Sequence, residues 1–445
     1  MVVKTGVAAL AAMMLAASAP QAQAPASEPK MTFVYAGTVL DRPGQAPRRN
    51  VTIAIREGRI VGVTPGFTDP ATISSTRNVE VIDLRDRFVL PGLIDSHVHL
   101  TSDRAGVEGQ LAGVTESTPF RAYEAGWNAR KTLEAGFTTV RNLGSGGGVT
   151  IALRDAIARG WTVGPRIVDA GSGISATTGH SDPTLGFREE FHDALSHGNL
   201  CDGPEECRRA VRTQIARGAD VIKIATTGGV NSRIGLGLGA QMFDDEVKAL
   251  IDTAHLYGKK VAVHAHGADG INLALKHGAD SIEHGTLIDD ESIRLFKRSG
   301  AYYVPTLSTV NGYLERIAAN PNAYAPEVRE KIDWRIKITG DALRKAVPGG
   351  VKIAFGTDAG VSKHGRNADE FELMVRHGMT PATAIHAATV NAAALLGLAD
   401  QIGTLEPGKR ADLIAVQGDP LSDVTVLKRV GFVMKDGQVY KSERR

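Results

Sequence analysis

Two histidines one residue apart, His97 and His99, close the stretch Phe88-Val-Leu-Pro-Gly-Leu-Ile-Asp-Ser-His-Val-His-Leu100. Side chains alternate faces along a strand, so both imidazoles point the same way and can hold one divalent ion between them. A bare His-x-His is a weak signal, because satisfied core histidines produce many. Weight comes from four later stretches that end in the same kind of residue. Lys223 lies inside Asp220-Val-Ile-Lys-Ile-Ala225. With Ile222 and Ile224 facing a helical layer, its ammonium must point inward, where desolvation is costly unless the group is paired or chemically changed. A lysine snorkelling to the strand end beside an acid is the plainer reading. The functional one is a metal ligand after carboxylation by carbon dioxide, whose carbamate offers two oxygens. His264 and His266 share a face in Val-Ala-Val-His-Ala-His-Gly, and His284 follows Glu283 at the end of the next apolar run. Alternation sets His284 opposite to Glu283, but a strand end lets it reach inward. Asp358 follows Phe355-Gly-Thr, with Ala359-Gly360 as a tight exit. Alone it would read as a helix cap; here it completes a ring of ligand-type residues whose chemistry is metal-assisted hydrolysis.

The elements that must carry these residues alternate. From about residue 90 to 398, strand-like runs end at His97/His99, Asn142, the Arg166-Ile-Val-Asp-Ala-Gly segment, Lys223-Ile-Ala, His264, His284, Thr306 and Asp358. Amphipathic segments lie between them, among them Cys207 to Arg217, Asp244 to Tyr257 and Asp289 to Ser299. Eight strands alternating with helices predict an α/β fold, a (β/α)8 barrel whose active site gathers at the strand C-termini. The polar residues fall at those ends. Residues 27–89 read as strands and turns, and the pattern returns over 399–445 with Ala411-Asp-Leu-Ile-Ala-Val, Gly431-Phe-Val-Met and Gln438-Val-Tyr. Neither end has strands enough to stand alone, so the prediction is one small β-sandwich domain built from both termini.

The 445 residues have room for both units. With 51 basic against 49 acidic residues, a net charge of +2 leaves no footprint for nucleic acid or an anionic membrane. Residues 1–26 read as a cleaved secretory signal: Lys4 is the charged start, Gly6 to Ala19 is an apolar stretch too short to span a bilayer, and small residues follow in Ala24-Pro-Ala26. That places the protein in the periplasm or outside the cell. The two cysteines, Cys201 and Cys207, can close a short loop in an oxidising compartment. A zinc pair is the other use, and no second Cys/His pair lies nearby to complete it.

The order His97-x-His99, Lys223, His264, His284, Asp358 resembles the metal-dependent amidohydrolase superfamily, binuclear branch. Val-Leu-Pro-Gly-Leu-Ile-Asp-Ser-His-Val-His, Gly-Ala-Asp-Val-Ile-Lys-Ile, Thr389-Val-Asn-Ala-Ala and Gly403-Thr-Leu-Glu-Pro-Gly-Lys-Arg-Ala-Asp-Leu resemble its imidazolonepropionase-like and prolidase-like members, above all the ochratoxin-degrading and carboxypeptidase-like ones. The resemblance implies one divalent ion, usually zinc, on His97, His99 and Asp358, a second on His264 and His284, and a carboxylated Lys223 bridging both. Such ions, about 3.5–4 Å apart, generate hydroxide at neutral pH and polarise the scissile carbonyl. Asp358 would carry the proton to the leaving amine, with no protein nucleophile. His266 would orient substrate or support the carbamate. His180, in the loop Thr177-Thr-Gly-His180-Ser-Asp, would meet the carbonyl oxygen, against the alternative of a solvated loop histidine. Arg233 would pair a substrate carboxylate, against that of a solvated arginine. His192, His197, His255, His277, His364 and His377 are assigned to surface or packing. The implied substrate is a small amide or dipeptide, and the implied assembly a homo-oligomer, up to an octamer. A cyclic-amide hydrolase or deaminase shares the fold, although Lys223 argues against the mononuclear deaminases. A non-catalytic barrel would have lost ligands, and none is lost.

Overall fold

Chain polarity and a single glycine divide the molecule into a terminal sheet and a central α/β unit. The computed structural model describes residues 30–72, 78–104, 106–232 and 237–443, so the expected leader (1–26) and Arg233 lie outside the described residues. The N-terminal part supplies β1 (Met31–Val39), β2 (Arg48–Arg56), β3 (Arg59–Pro65) and β4 (Val79–Pro91). The centre supplies β5 (Leu93–Val98), β6 (Phe137–Asn142), β7 (Arg166–Asp169), β8 (Ile222–Ala225), β9 (Val261–Ala265), β10 (Ser281–His284), β11 (Tyr302–Val304) and β12 (Lys352–Ile353). The C-terminal part adds β13 (Leu413–Val416), β14 (Val430–Lys435) and β15 (Gln438–Ser442).

The outer strands form one seven-stranded sheet, β15-β14-β13-β4-β1-β2-β3, in which β4 pairs parallel with β1 and antiparallel with β13. Both ends of the chain contribute to it. Where a sandwich was expected, the strands of the described residues form a single hydrogen-bonded sheet. The reason lies in its two faces. Val51, Ile53, Val89, Leu413 and Phe432 pack into the sheet's own core. Their neighbours Phe88, Leu90, Ile414 and Val433 point the other way and join the main core of the central unit. Strand periodicity thus feeds two cores from one sheet. The central unit covers the face that a second sheet would otherwise cover.

Gly92 is where the chain leaves β4 for β5. A Cβ there would lie 2.2 Å from Thr138 Oγ1, so the crossing requires glycine. The eight central strands run parallel in two arcs, β5-β6-β7 and β8-β9-β10-β11-β12. Parallel bridges link the arcs on both sides, Ile174 to Ile224 and Val98 to Ala359. The Ile174 amide donates to Lys223 O and the Asp358 amide to His97 O, both at 2.8 Å. Between the two arcs of the expected (β/α)8 barrel the ladder is reduced to these isolated contacts. β12 holds its pairing for two residues, and the chain from Phe355 to Asp358 then bonds β5 through separate contacts such as Ser96 N to Phe355 O.

Helices fall where the amphipathic segments predicted them, at Pro204–Ala216, Asp244–Leu256 and Asp290–Ser299. Ile222, Ile224, Val263 and Ile282 share a core with Leu250, Ile251 and Ala254 of the second of these. By alternation Lys223, His264 and Glu283 face away from that layer. Arg166 ties the two units together, donating to Asp412 Oδ2 and Asp436 Oδ1 at 2.7 Å each, while Lys435 Nζ reaches Gly164 O at 2.7 Å. Cys201 and Cys207 are joined in a disulfide, which removes the zinc-pair reading. Among the described residues no helix is long and apolar enough to cross a membrane.

Candidate metal centre and active site

The ends of β5, β8, β9 and β10 and the chain after β12 bring His97, His99, Lys223, His264, His284 and Asp358 to one cavity of about 340 Å³. His266 and His180 line it too, so every described residue singled out by sequence stands at this place. Ligand atoms of His97, His99 and Asp358 lie within 4.8 Å of one another, as do those of His264, His266 and His284. His266, expected outside the ligand set, is as near to its two neighbours as the ligand limit requires.

What faces the cavity is set by what holds the far side of each ring. His97 Nδ1 donates to Glu283 Oε2 at 2.8 Å, and His99 Nδ1 to Gly144 O at 3.2 Å. His284 Nδ1 is bonded to Thr306 Oγ1 and His266 Nδ1 to Thr286 Oγ1, each at 2.7 Å. Fixing one ring nitrogen fixes the tautomer and leaves the other nitrogen's lone pair for a ligand. His264 is turned the opposite way: its Nε2 lies 3.4 Å from Gly228 O, which leaves Nδ1 free. Glu283 is held in turn by Arg141, whose NH2 donates to Oε1 at 2.7 Å and whose Nε donates to Ser96 O at 2.6 Å. Sequence reasoning used Glu283 only for its facing and passed over Arg141; an arginine inside an apolar strand was the available signal.

Backbone conformation completes the placement. His284, Thr306 and Asp358 have φ of 70°, 48° and 56°, in the left-handed region that non-glycine residues avoid. For His284 this rotation brings inward a side chain that alternation alone would set opposite to Glu283. Gly360, at φ 121°, makes the exit behind Asp358, where a Cβ would sit 2.9 Å from that of His99.

Electrostatics keep the rings neutral. Burial and the nearby Lys223 pull His97 to about 4. Burial and the same lysine pull His180 to about 3. Burial, with the neighbouring imidazoles, sets His264 and His284 well below the usual value. Burial and Arg335 do the same to His266. Burial alone would raise Asp358, but His97, His99 and Lys223 hold it at about 2, ionised. Burial lowers the Lys223 ammonium to about 8, toward its neutral form. Neutral imidazoles and a carboxylate are the ligating forms.

Asp358 Oδ1 is buried, makes no hydrogen bond, and lies 3.5 Å from His97 Nε2 and 3.3 Å from His99 Nε2. An ionised oxygen without a donor is costly in a protein interior. The nitrogen and oxygen donor set suits a divalent ion such as zinc, so these residues fit a metal.

The remaining walls come from loops. His180 stacks on His264 with ring centres 3.8 Å apart, and its Nδ1 is bonded to Ser232 Oγ at 2.7 Å. It is a wall of the cavity, not a solvated loop histidine. His197, assigned to surface or packing, is a cavity-lining residue, on the loop that the Ser175–Leu200 bridge ties beside the site. His364 packs as expected, with Nε2 on His99 O at 3.0 Å. Arg335, Tyr313 and Asn231 also line the cavity and were not read from the sequence.

Comparison with known proteins agrees with this geometry. The amidohydrolase family matches over residues 88–440. The chain is 34% identical to the ochratoxinase of Aspergillus niger over 446 residues, covering 95% of this chain and 89% of that one. Among solved structures, a Xaa-Pro dipeptidase with bound methionine in its active site superposes with a TM-score of 0.86 at 42% identity, over 93% of this chain and 100% of that chain. A prolidase complexed with N-methylphosphonate-L-proline does so with a TM-score of 0.82 at 29% identity, again over 93% and 100%. On the extent of these matches, with two His-rich ligand groups meeting at the ends of parallel strands, the chain belongs to the amidohydrolase family.

Proposed function

We propose that this chain is a binuclear metal hydrolase cutting an amide or peptide bond whose amine half is an amino acid with a free carboxylate. Ochratoxin A, an N-acyl amino acid or a dipeptide would be cleaved in carboxypeptidase fashion. The observation that carries this reading is the pair of three-residue ligand groups in one cavity with Lys223, Asp358 Oδ1 among them without a donor. In it, His97, His99 and Asp358 would hold one zinc-like ion and His264 and His284 a second, with a carboxylated Lys223 as the ligand they would share. The shift of Lys223 toward the neutral amine favours that carboxylation, since the free amine is the form that adds carbon dioxide. The two arcs of strands would act as one (β/α)8 barrel with its ligands at the C-terminal ends.

Ions bound there would acidify a water and polarise the scissile carbonyl. Asp358 accepts the proton from the attacking water and passes it to the leaving nitrogen. His180, held by Ser232 through Nδ1, offers Nε2 to the carbonyl oxygen. His266, fixed by Thr286, orients the amine half. Export to an oxidising compartment is supported by the Cys201–Cys207 disulfide.

Protein purified without chelator should carry about two divalent ions per chain. It should also hydrolyse members of a panel of N-acyl amino acids, dipeptides and ochratoxin A. Fewer than two ions in active protein would remove the bridging lysine. Turnover of cyclic amides alone, or release of ammonia, would move the chain to the cyclic-amide hydrolases or deaminases.

A further inference from the structure

Two arginines are buried near the site, and their surroundings differ. Arg141 is 1% exposed and fully engaged, with Ser96 O, Ser281 Oγ and the Glu283 carboxylate as partners. Arg335, on the helix Pro326–Lys337, is 4% exposed. Its described side-chain hydrogen bond goes to Thr339 Oγ1 at 3.2 Å, and no carboxylate of the described residues forms an ion pair with it. A buried guanidinium that is held by a hydroxyl and forms no ion pair is costly to desolvate, and its planar fork is suited to pairing an incoming carboxylate. Burial drives the group below the usual arginine range, against the opposing pull of acidic groups that include Glu370 and Asp358.

Arg335 lines the same cavity as Asp358, His266 and Tyr313. Arg335 comes from the helix Pro326–Lys337, which enters between β11 and β12, and His266 follows β9 in the same cavity. Asp358 is the one carboxylate among the described lining residues, and it faces His97 and His99.

We propose that Arg335 is the specificity-determining residue that receives the substrate's free carboxylate, as a two-pronged pair with the amino-acid half of the amide. This rests on the hydrolase reading above and deepens it. One carbon separates the carboxylate of an amino acid from its nitrogen, so a carboxylate held at Arg335 keeps the scissile nitrogen inside the cavity that the ligand-type residues line. The planar fork suits a carboxylate better than a point charge would.

The test pairs turnover with binding. Wild type should cut N-benzoyl-L-phenylalanine, N-benzoyl-L-methionine and N-benzoyl-L-proline at least tenfold better in kcat/KM than their methyl esters, the worth of one hydrogen bond to a charged group. In Arg335→Gln that preference should fall at least tenfold. Arg335→Lys, which keeps the buried charge and serves if the first variant does not fold, should lose part of it. By calorimetry, metal-loaded wild type should bind L-phenylalanine, L-methionine or L-proline more tightly than the matching amide, and Arg335→Gln should not discriminate. If no amide on the panel is cut, the hydrolase reading fails, while the binding arm still decides whether Arg335 holds a carboxylate. Equal affinity for acid and amide in wild type, binding of neither, or a preference lost in Arg121→Gln, at the other arginine of the described cavity lining, or in Arg233→Gln but kept in both Arg335 variants, overturns the proposal.

Discussion

Asp358 combines three properties at one residue: a left-handed backbone, a carboxyl held ionised at about 2, and one oxygen with no donor. Asp358→Asn keeps a ligand oxygen and the shape but cannot accept a proton. Its kcat should fall at least ~10²-fold at unchanged metal content, the usual scale of general acid–base catalysis. Elemental analysis beside steady-state rates separates this from metal loss, and near-normal turnover in a metal-replete variant would take Asp358 out of the proton path. His97, His99, Lys223 and His264 were legible because strand alternation makes an inward face from residue types, and Asp358, which lies beyond β12, only because it completes their ring. His284 was legible only as a strand-end residue, since nothing in Ser-Ile-Glu-His announces a φ of 70°. Arg335 and Tyr313 escaped reading for a different reason. They sit on helices between β11 and β12, where an amphipathic pattern reports a helix and not which of its polar residues the fold turns toward the strands.

At the level of elements, the join between the terminal sheet and the central unit is held by packing and by a charged clasp. Arg166 lies on β7, and both of its acids, Asp412 and Asp436, come from the C-terminal part. Asp412 is 4% exposed, so removing its guanidinium leaves a buried carboxylate uncompensated. Arg166→Met should destabilise the protein by about 3 kcal/mol, at the lower edge of what a broken buried pair costs because Arg166 retains some exposure. Denaturant titration measures it, and a change below about 0.5 kcal/mol would show the clasp to be incidental. The alternation of β13 and β14 was readable from sequence, but their second face was not. Ile414 and Val433 look the same in sequence whether they meet another sheet or the central α/β unit, and only packing decided for the latter.

For the whole molecule, stability should fall with acid. His97, His180, His264, His266 and His284 all titrate below their ordinary value of 6.5 in the folded state, His97 at about 4 and His180 at about 3. The stability they contribute is present above 6.5 and is lost as pH falls through those lower values. Asp95 and Asp169, raised by burial to about 6, and Glu370, raised by burial to about 7, act in the opposite sense. Their contribution is present below their ordinary values and lost as pH rises through 6 to 7. Between about pH 4.5 and 6 both sets operate, these five imidazoles and His364, which burial lowers to about 4, against three carboxyls, each proton worth about 1.4 kcal/mol per pH unit, so the imidazoles win. Chelator-treated protein should therefore show a Tm that drops from pH 6.5 to 5, by calorimetry at fixed ionic strength; a rising Tm would reverse the balance. The pairing of β13 with β4 has a consequence in time as well as in space. A ribosome makes β4 more than three hundred residues before β13. Until the last tenth of the chain emerges, β4 has one open side and a row of unpaired backbone groups, the kind of edge that invites pairing with another molecule. The terminal sheet therefore completes only after synthesis is nearly over. The interval before that closure is when the nascent chain is most exposed to aggregation, and most in need of a chaperone.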